Sequence, residues 1–325
     1  MSGEVQFKRR SERIPPDLRK LTVRVPGSSA NLGPGFDALA LAYQLYCRLD
    51  FRILEKNDPT VPLITLKGCL SDGLPKDQNN LIYTVLSNLW RNDPEILQRV
   101  RISIESEIPL GKGVGSSAAA ITGAVWAANV LCGEMPDNGK ILSAAAELEG
   151  HADNAAASLL GGLVVSARST KTRSIVSQKL LWPKEWRCLV TVPSYVLSTK
   201  KSRSVLPQQY SKHDAVHNIQ KVSLLLAAVQ NRDEEALQEA LHDRLHEPYR
   251  SELVPQLGAI RKHLSDLPVL GSVLSGAGSS VLTIVHERQK QPVLSSLKAW
   301  AEKHSPGAEV LDLDVDLEGL KVSYE

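Results

Sequence analysis

Short stretches of this 325-residue chain concentrate groups that could do chemistry. Gly111-Lys112-Gly113-Val114-Gly115-Ser116-Ser117 places a glycine at every second position, so several backbone N–H groups can converge without Cβ obstruction. A helix starting there adds roughly half a positive charge at its N-terminus, and the whole suits a di- or triphosphate. Ser116 or Ser117 would offer a hydroxyl to a phosphate or a magnesium ion, and Lys112 a cation. The P-loop pattern is absent, and the dinucleotide pattern would need Ser117 or Ala118 at its last glycine. Taken alone, the loop is equally a plain structural turn.

Glu147-x-Glu149-x-His151-x-Asp153-Asn154 packs carboxylates, an imidazole and an amide into one turn region, with Glu147 and His151 on one face if the helix persists. Beside a phosphate pocket such acids would hold Mg2+, which takes few protein carboxylates and otherwise phosphate and water oxygens. Alternatively, Glu147 and Glu149 form a solvated helix face and Asn154 is a cap. Two further polar loops, Pro26 to Asp37 and Ser275-Gly276-Ala277-Gly278-Ser279-Ser280, complete a set separated by long apolar elements. A cleft between two domains requires such a set.

The periods around these loops predict what positions them. Leu21-Thr22-Val23-Arg24-Val25 alternates as a strand, followed by the loop from Pro26 to Asp37. Arg101 to Ile108 alternates again and leads through the glycine loop into Ala118 to Leu131, apolar nearly all round, which predicts a central buried helix ending at Gly133. A second helix is expected from about Ile141 to Glu149, and a strand over Leu163 to Ala167. Residues 168–186, basic and polar and then Trp- and Pro-bearing, mark the boundary between two mixed α+β units, 21–180 and 181–325. The second unit shows a strand at Cys188 to Val192 and helices near His213 to Asn231, Glu234 to Leu245 and Leu253 to Leu264. Strands flank its glycine loop, and a late strand, Leu311 to Asp316, carries one acidic face expected to be solvated.

Composition removes several function classes. With 38 Lys+Arg against 36 Asp+Glu and 5% aromatics, the chain has neither a broad phosphate-binding stripe nor stacking platforms, so nucleic acid is not the expected partner. Residues 1–20 hold a basic excess and Ile14-Pro15-Pro16, which suggests a disordered leader. Cys47, Cys69, Cys132 and Cys188 fit neither a zinc knuckle nor a disulfide framework and read as reduced, cytoplasmic thiols. The N-terminus lacks the apolar core of a signal peptide, and no apolar run reaches membrane-spanning length. His213-x3-His217 and His242-x3-His246 each place two imidazoles on one helix face, but without a carboxylate at metal-site spacing.

Together the loops resemble the three motifs of the GHMP kinases, and are most similar to those of the homoserine kinase family within that superfamily. Ser28 to Asp37 looks like the first motif, Pro109 to Ala120 the ATP-binding motif, and Glu149-Gly150-His151-Ala152-Asp153-Asn154 the acidic loop. The resemblance runs from about Leu21 to about His286. It implies an N-terminal domain like ribosomal protein S5 domain 2, a ferredoxin-like C-terminal domain, and Mg·ATP bound between them. Pro109, Leu110, Gly111, Lys112, Gly113, Val114, Gly115, Ser116, Ser117 and Ala118 would wrap the phosphates, with Ser117 and Glu147 completing the magnesium sphere and Glu149 as the alternative ligand. For an amino-acid substrate, L-homoserine, it points to Asn31, Asp37, His151, Thr199, Arg203 and Arg250, with Arg203 and Arg250 on the carboxylate and Asp37 facing the ammonium. Asp153 and Asn154 would orient the hydroxyl, Asp153 being also a candidate proton acceptor. A homodimer is common in the family. Other readings are a GHMP kinase for another small alcohol, or a non-catalytic nucleotide sensor. The third motif departs from the usual Ser-Gly-Ser-Gly-Pro at Ala277 and Ser279, and Ala155-Ala156-Ala157 stands where Val-Ala-Pro is common.

Overall fold

The computed structural model describes residues 18–68, 73–90 and 94–325. In chain order these form β1 (Lys20–Asn31), β2 (Gly35–Ile53), β3 (Ile64–Gly68), α1 (Leu81–Leu89), α2 (Pro94–Arg99), β4 (Val100–Ser106), α3 (Ser116–Leu131), α4 (Asn138–Glu149), α5 (Asp153–Leu160), β5 (Leu163–Arg168) and β6 (Ile175–Leu180). There follow β7 (Trp186–Val192), α6 (Thr199–Ser204), α7 (Lys212–Asn231), α8 (Glu234–Ala240), α9 (Glu247–Arg250), α10 (Pro255–His263), β8 (Gly271–Leu274), β9 (Val281–His286), α11 (Lys290–His304), β10 (Glu309–Leu313) and β11 (Lys321–Tyr324).

The strands make two sheets. The first runs β11-β1-β2-β4-β3, with β5 on the other part of β2 and β6 beyond it, and among the described residues only the β3–β4 pair is parallel. The second is antiparallel in the order β10-β7-β9-β8, which counted within the sheet is 4-1-3-2, the ferredoxin-like arrangement. Successive residues of β9 serve different cores. Leu282 and Ile284 join the large core beneath the first sheet, whereas Val281 and Val285 pack with Ile260, Val293, Leu297 and Trp300 against α10 and α11. Each such full burial is worth about 1.5–3 kcal/mol, so the period-2 pattern fixes the register.

α3 is buried over most of its circumference, as its sequence requires, because β1, β2, α1, α4 and α5 surround it. The long polar loop expected from Pro26 to Asp37 is mostly strand. β1 continues to Asn31 and the turn shrinks to residues 32–34. Pro26 sits at a register shift, where a missing N–H is tolerated, and the fully buried Ser28 and Ser29 bond to other buried groups instead of water.

Other expectations change at element ends. α8 stops at Ala240, not near Leu245, because the Asp243 carboxylate accepts from the N–H groups of Leu245, His246 and Glu247 and starts α9 instead. His242 and His246 therefore do not share a helix face. The expected boundary stretch 168–186 contains β6, the outer strand of a hairpin with β5. The acidic side of the late strand is ion-paired, Asp312 lying 3.5 Å from Arg187 and 3.0 Å from Lys290. Of the expected leader, Leu18 is buried and Lys20 opens β1, while residues 1–17 lie outside the described part. β11 leaves the second unit to pair with β1, and the Glu325 carbonyl accepts from the N–H groups of Arg19 and Lys20. Among the described residues no helix is long and apolar enough to cross a membrane.

Candidate active site

A cleft of about 640 Å³ opens where the glycine loops of both halves meet. One wall is the N-terminus of α3. Gly115 precedes the helix with φ 76° and no side chain caps it, so the amides of its first turn remain uncommitted toward the cleft, beside the Ser116 and Ser117 side chains. Gly113 has φ 81°, and a Cβ there would stand 2.7 Å from the Gly278 carbonyl oxygen, so only glycine allows the two loops to touch.

The third motif stitches the others together. Ser275 Oγ donates to Gly113 O at 2.7 Å, Ser280 N to Lys112 O at 3.0 Å and Gly276 N to Ala30 O at 3.1 Å. The departure at Ser279 leaves its hydroxyl turned away, donating to Tyr195 O at 3.0 Å. This loop presents backbone to the cleft through Gly276, Ala277 and Gly278.

Lys112 does not offer a free cation. Its ammonium donates to Pro193 O and Tyr195 O, both at 2.7 Å, and to Ser194 O, which uses all three donors. Burial also lowers its pKa. The side chain therefore ties the phosphate loop to the end of β7. Leu110, Gly111, Lys112, Gly113, Gly115, Ser116 and Ser117 line the cleft, whereas Pro109, Val114 and Ala118 do not. Val114 and Ala118 are buried beneath the loop, Val114 O accepting from Ser28 N at 3.1 Å. The cleft extends to an apolar recess of Leu74, Leu81, Ile82, Ile104 and Leu110 with Asn80 beside it, a surface fit for a flat heteroaromatic ring. Sequence reasoning missed this recess, since its residue types are those of any core.

At the other end stand Glu149, His151 and Asp153. His151 Nδ1 lies 2.6 Å from Asp153 Oδ1, and its Nε2 lies 3.6 Å from Glu149 Oε2. Burial opposes charge on the ring, but the Asp153 hydrogen bond and the two carboxylates outweigh it and raise the His151 pKa. Asp153 Oδ1 also accepts from Asn154 N at 2.7 Å. Glu149, not Glu147, faces the cleft. Residues two apart on a helix point to nearly opposite sides, and α4 turns Glu147 to solvent. Asn154 borders the cleft, but its amide nitrogen donates to Ser28 O at 3.1 Å and Oγ at 2.9 Å, which withdraws that donor from a substrate hydroxyl.

Asp37 and Arg203 meet in a bidentate pair at 2.6 and 3.0 Å. Asp37 holds the Arg203 pKa above its ordinary value. Arg250, 1% exposed, donates from Nε to Ser202 O and from Nη1 to Gly276 O, both at 3.2 Å. Burial, and then the nearby Arg203, push its pKa down to about 10. The two guanidinium carbons lie 5.7 and 5.4 Å from the centroid of Phe36. Thr199, in the first turn of α6, is exposed at the cleft rim. Asn31 lines the cleft, with Nδ2 donating to Gly276 O at 2.8 Å and Oδ1 accepting from Asp37 N at 3.1 Å, which leaves its second N–H for a ligand. The structure thus gathers Asp37, Glu149, His151, Asp153, Thr199, Arg203 and Arg250 at one end of the cleft and leaves Glu147 outside it.

The GHMP kinases N terminal domain matches residues 80–162, and the GHMP kinases C terminal domain matches residues 225–303. Over 300 residues the chain is 37% identical to the homoserine kinase of Desulfitobacterium hafniense, covering 92% of this chain and 99% of that one. It is 38% identical over 307 residues to the homoserine kinase of Deinococcus radiodurans, covering 94% and 98%. The crystal structure of homoserine kinase from Cytophaga hutchinsonii superposes with a TM-score of 0.80 at 27% identity, covering 95% of this chain and 99% of that one.

Proposed function

This chain belongs to the homoserine kinases of the GHMP kinase family, and we propose that it transfers the γ-phosphoryl group of ATP to the side-chain hydroxyl of L-homoserine, giving ADP and O-phospho-L-homoserine. The observation that carries the reading is a single cleft with an uncapped helix N-terminus on one wall and the Asp37–Arg203 pair, backed by Arg250, at its end. The step feeds threonine synthesis, in the cytoplasm.

A zwitterion suits this end because its two charges can replace the pair's own. The ammonium takes Asp37, while the carboxylate takes Arg203 and Arg250, so neither protein charge is left unpaired. Binding both charged groups leaves the terminal hydroxyl directed toward α3. Ser116, Ser117 and the first-turn amides of α3 bind phosphate oxygens, and the apolar recess around Ile82 and Ile104 takes the adenine. The hydroxyl of Ser117 and the carboxylate of Glu149 are the hard oxygen donors that fit Mg2+, which when bound neutralises phosphate charge.

The new P–O bond forms at the homoserine oxygen as the bond to the β-phosphate oxygen breaks. Its loose transition state asks chiefly for alignment and charge neutralisation. Asp153, with Oδ1 engaged by His151 and Asn154 N, keeps its second oxygen to orient the hydroxyl and take its proton. The test is ADP release from Mg·ATP with L-homoserine, against L-threonine, L-serine, mevalonate and galactose. Selective turnover of homoserine supports the reading. Turnover of another alcohol alone overturns the substrate, and silence on all of them, with Mg·ATP still bound, points to a sensor.

A further inference from the structure

His246 is fully buried beside this site and takes no part in the chemistry above. We infer that His246 is a positioning residue that sets both ends of the amino-acid clamp, holding Arg250 with one ring nitrogen and the turn that leads to Asp37 with the other. The inference rests on the clamp proposed above.

Its Nε2 lies 2.8 Å from Gly33 O, and its Nδ1 lies 3.1 Å from Arg250 Nη1. A carbonyl only accepts and a guanidinium only donates, so Nε2 carries the hydrogen and Nδ1 is bare. The ring is therefore neutral and in one tautomer. Burial lowers its pKa in the same sense, against the carboxylates of Asp243 and Glu247.

The same ring stacks on Phe36 at 5.2 Å and 24°, and Phe36 in turn lies against both guanidinium groups of the clamp. Gly33 lies in the turn, and Phe36 and Asp37 follow at the start of β2, so one imidazole fixes this connection by a hydrogen bond and by a stacked face while orienting Arg250 from the far side. The backing is rigid. His246 N donates to Asp243 Oδ2 at 2.7 Å, and Asn218, reaching in from α7, donates to Asp243 Oδ1 at 2.7 Å and to Pro34 O at 3.2 Å. No group of the phosphate wall touches the ring among these contacts, so its loss should register in the acceptor and not in the nucleotide.

The test is steady-state kinetics of the full chain with Mg·ATP and L-homoserine for His246→Leu, His246→Gln and His246→Asn, with thermal melts alongside. Gln keeps a donor near the Nε2 position and Asn an acceptor near the Nδ1 position. For His246→Leu we expect KM for homoserine to rise about thirtyfold while KM for ATP stays within about twofold, with Gln and Asn each recovering part of the loss. A homoserine KM within about twofold of wild type, or a rise in the ATP KM of equal proportion, overturns the role. If the Leu variant does not fold, the Gln and Asn variants decide alone: each should raise the homoserine KM about fivefold, and an unchanged KM in both overturns the role. Wild-type turnover is measured first, so a wrong substrate appears there. The variants are then read on the alcohol the wild type does use, where an unchanged KM overturns the role of His246 separately.

Discussion

At the end of the cleft proposed for phosphate, the groups offered are largely backbone: uncapped amides at the start of α3, walled by the glycines of the third motif. At the acceptor end they are side chains, Asp37, Arg203, Arg250, Glu149, His151 and Asp153, each held by another side chain or a carbonyl. The first construction is indifferent to which side chains surround it, but any added Cβ disturbs it. The second can be retuned one residue at a time. Most of the replaceable groups therefore stand at the acceptor end, with Ser116 and Ser117 as the side chains beside the amides of α3.

Variants can break or sharpen that contrast. Arg203→Leu removes the carboxylate contact proposed above and strands Asp37 without its partner. It should lower kcat/KM for homoserine by about a thousandfold and leave KM for ATP within about threefold. Equal effects on both substrates in steady-state kinetics would show that the ends are not separate. Gly113→Ala is the converse, since its Cβ meets the Gly278 carbonyl at 2.7 Å and its φ is 81°. It should lower kcat/KM for ATP about a hundredfold while calorimetric homoserine binding without nucleotide holds.

Glu149→Gln should reduce kcat about tenfold and raise the Mg2+ concentration needed for half-maximal rate, whereas Glu147→Gln should stay within about twofold. A reversed order in a Mg2+ titration would restore Glu147 as the ligand. Lys112→Met should lower Tm by about 2–4 °C with an ATP KM within about threefold, since its ammonium already holds three carbonyls. A large rise in that KM would return Lys112 to the phosphate. The smallest effect concerns His151, whose folded pKa lies above its ordinary 6.5. Its contribution to stability is complete below about pH 6.5 and is lost as pH rises through the raised folded value. Melts between about pH 6 and 8 should fall by a degree or so, and His151→Gln should flatten that slope.

Much of this was legible in the residues, for reasons that also mark the limit. Alternation and glycine spacing located β4, α3 and the phosphate loop, because a period of two or a φ that only glycine tolerates is a local property. Which acid of Glu147 and Glu149 faces the cleft is not local, since it depends on how α4 is rotated against its neighbours. Lys112 and Asn154 read as chemistry from their types, yet partners far along the chain, Ser194 and Ser28, occupy them. β1 ran through a supposed loop because buried serines found partners that no window of sequence displays. The His246 ring appeared only as half of a weak histidine pair, its actual partners, Gly33 and Arg250, lying on different elements.

The pairing of β11 with β1 has a consequence for how the protein is made. The outer edge of β1, from Leu21 to Arg24, waits for Lys321 to Tyr324, which are translated about 300 residues later. At ordinary elongation rates of about 5–20 residues per second, that edge stays open for roughly a quarter of a minute to a minute on each ribosome. A strand edge left unpaired for so long is a template for pairing with a neighbouring nascent chain. The growing chain therefore has to keep that edge shielded until β11 emerges to cover it.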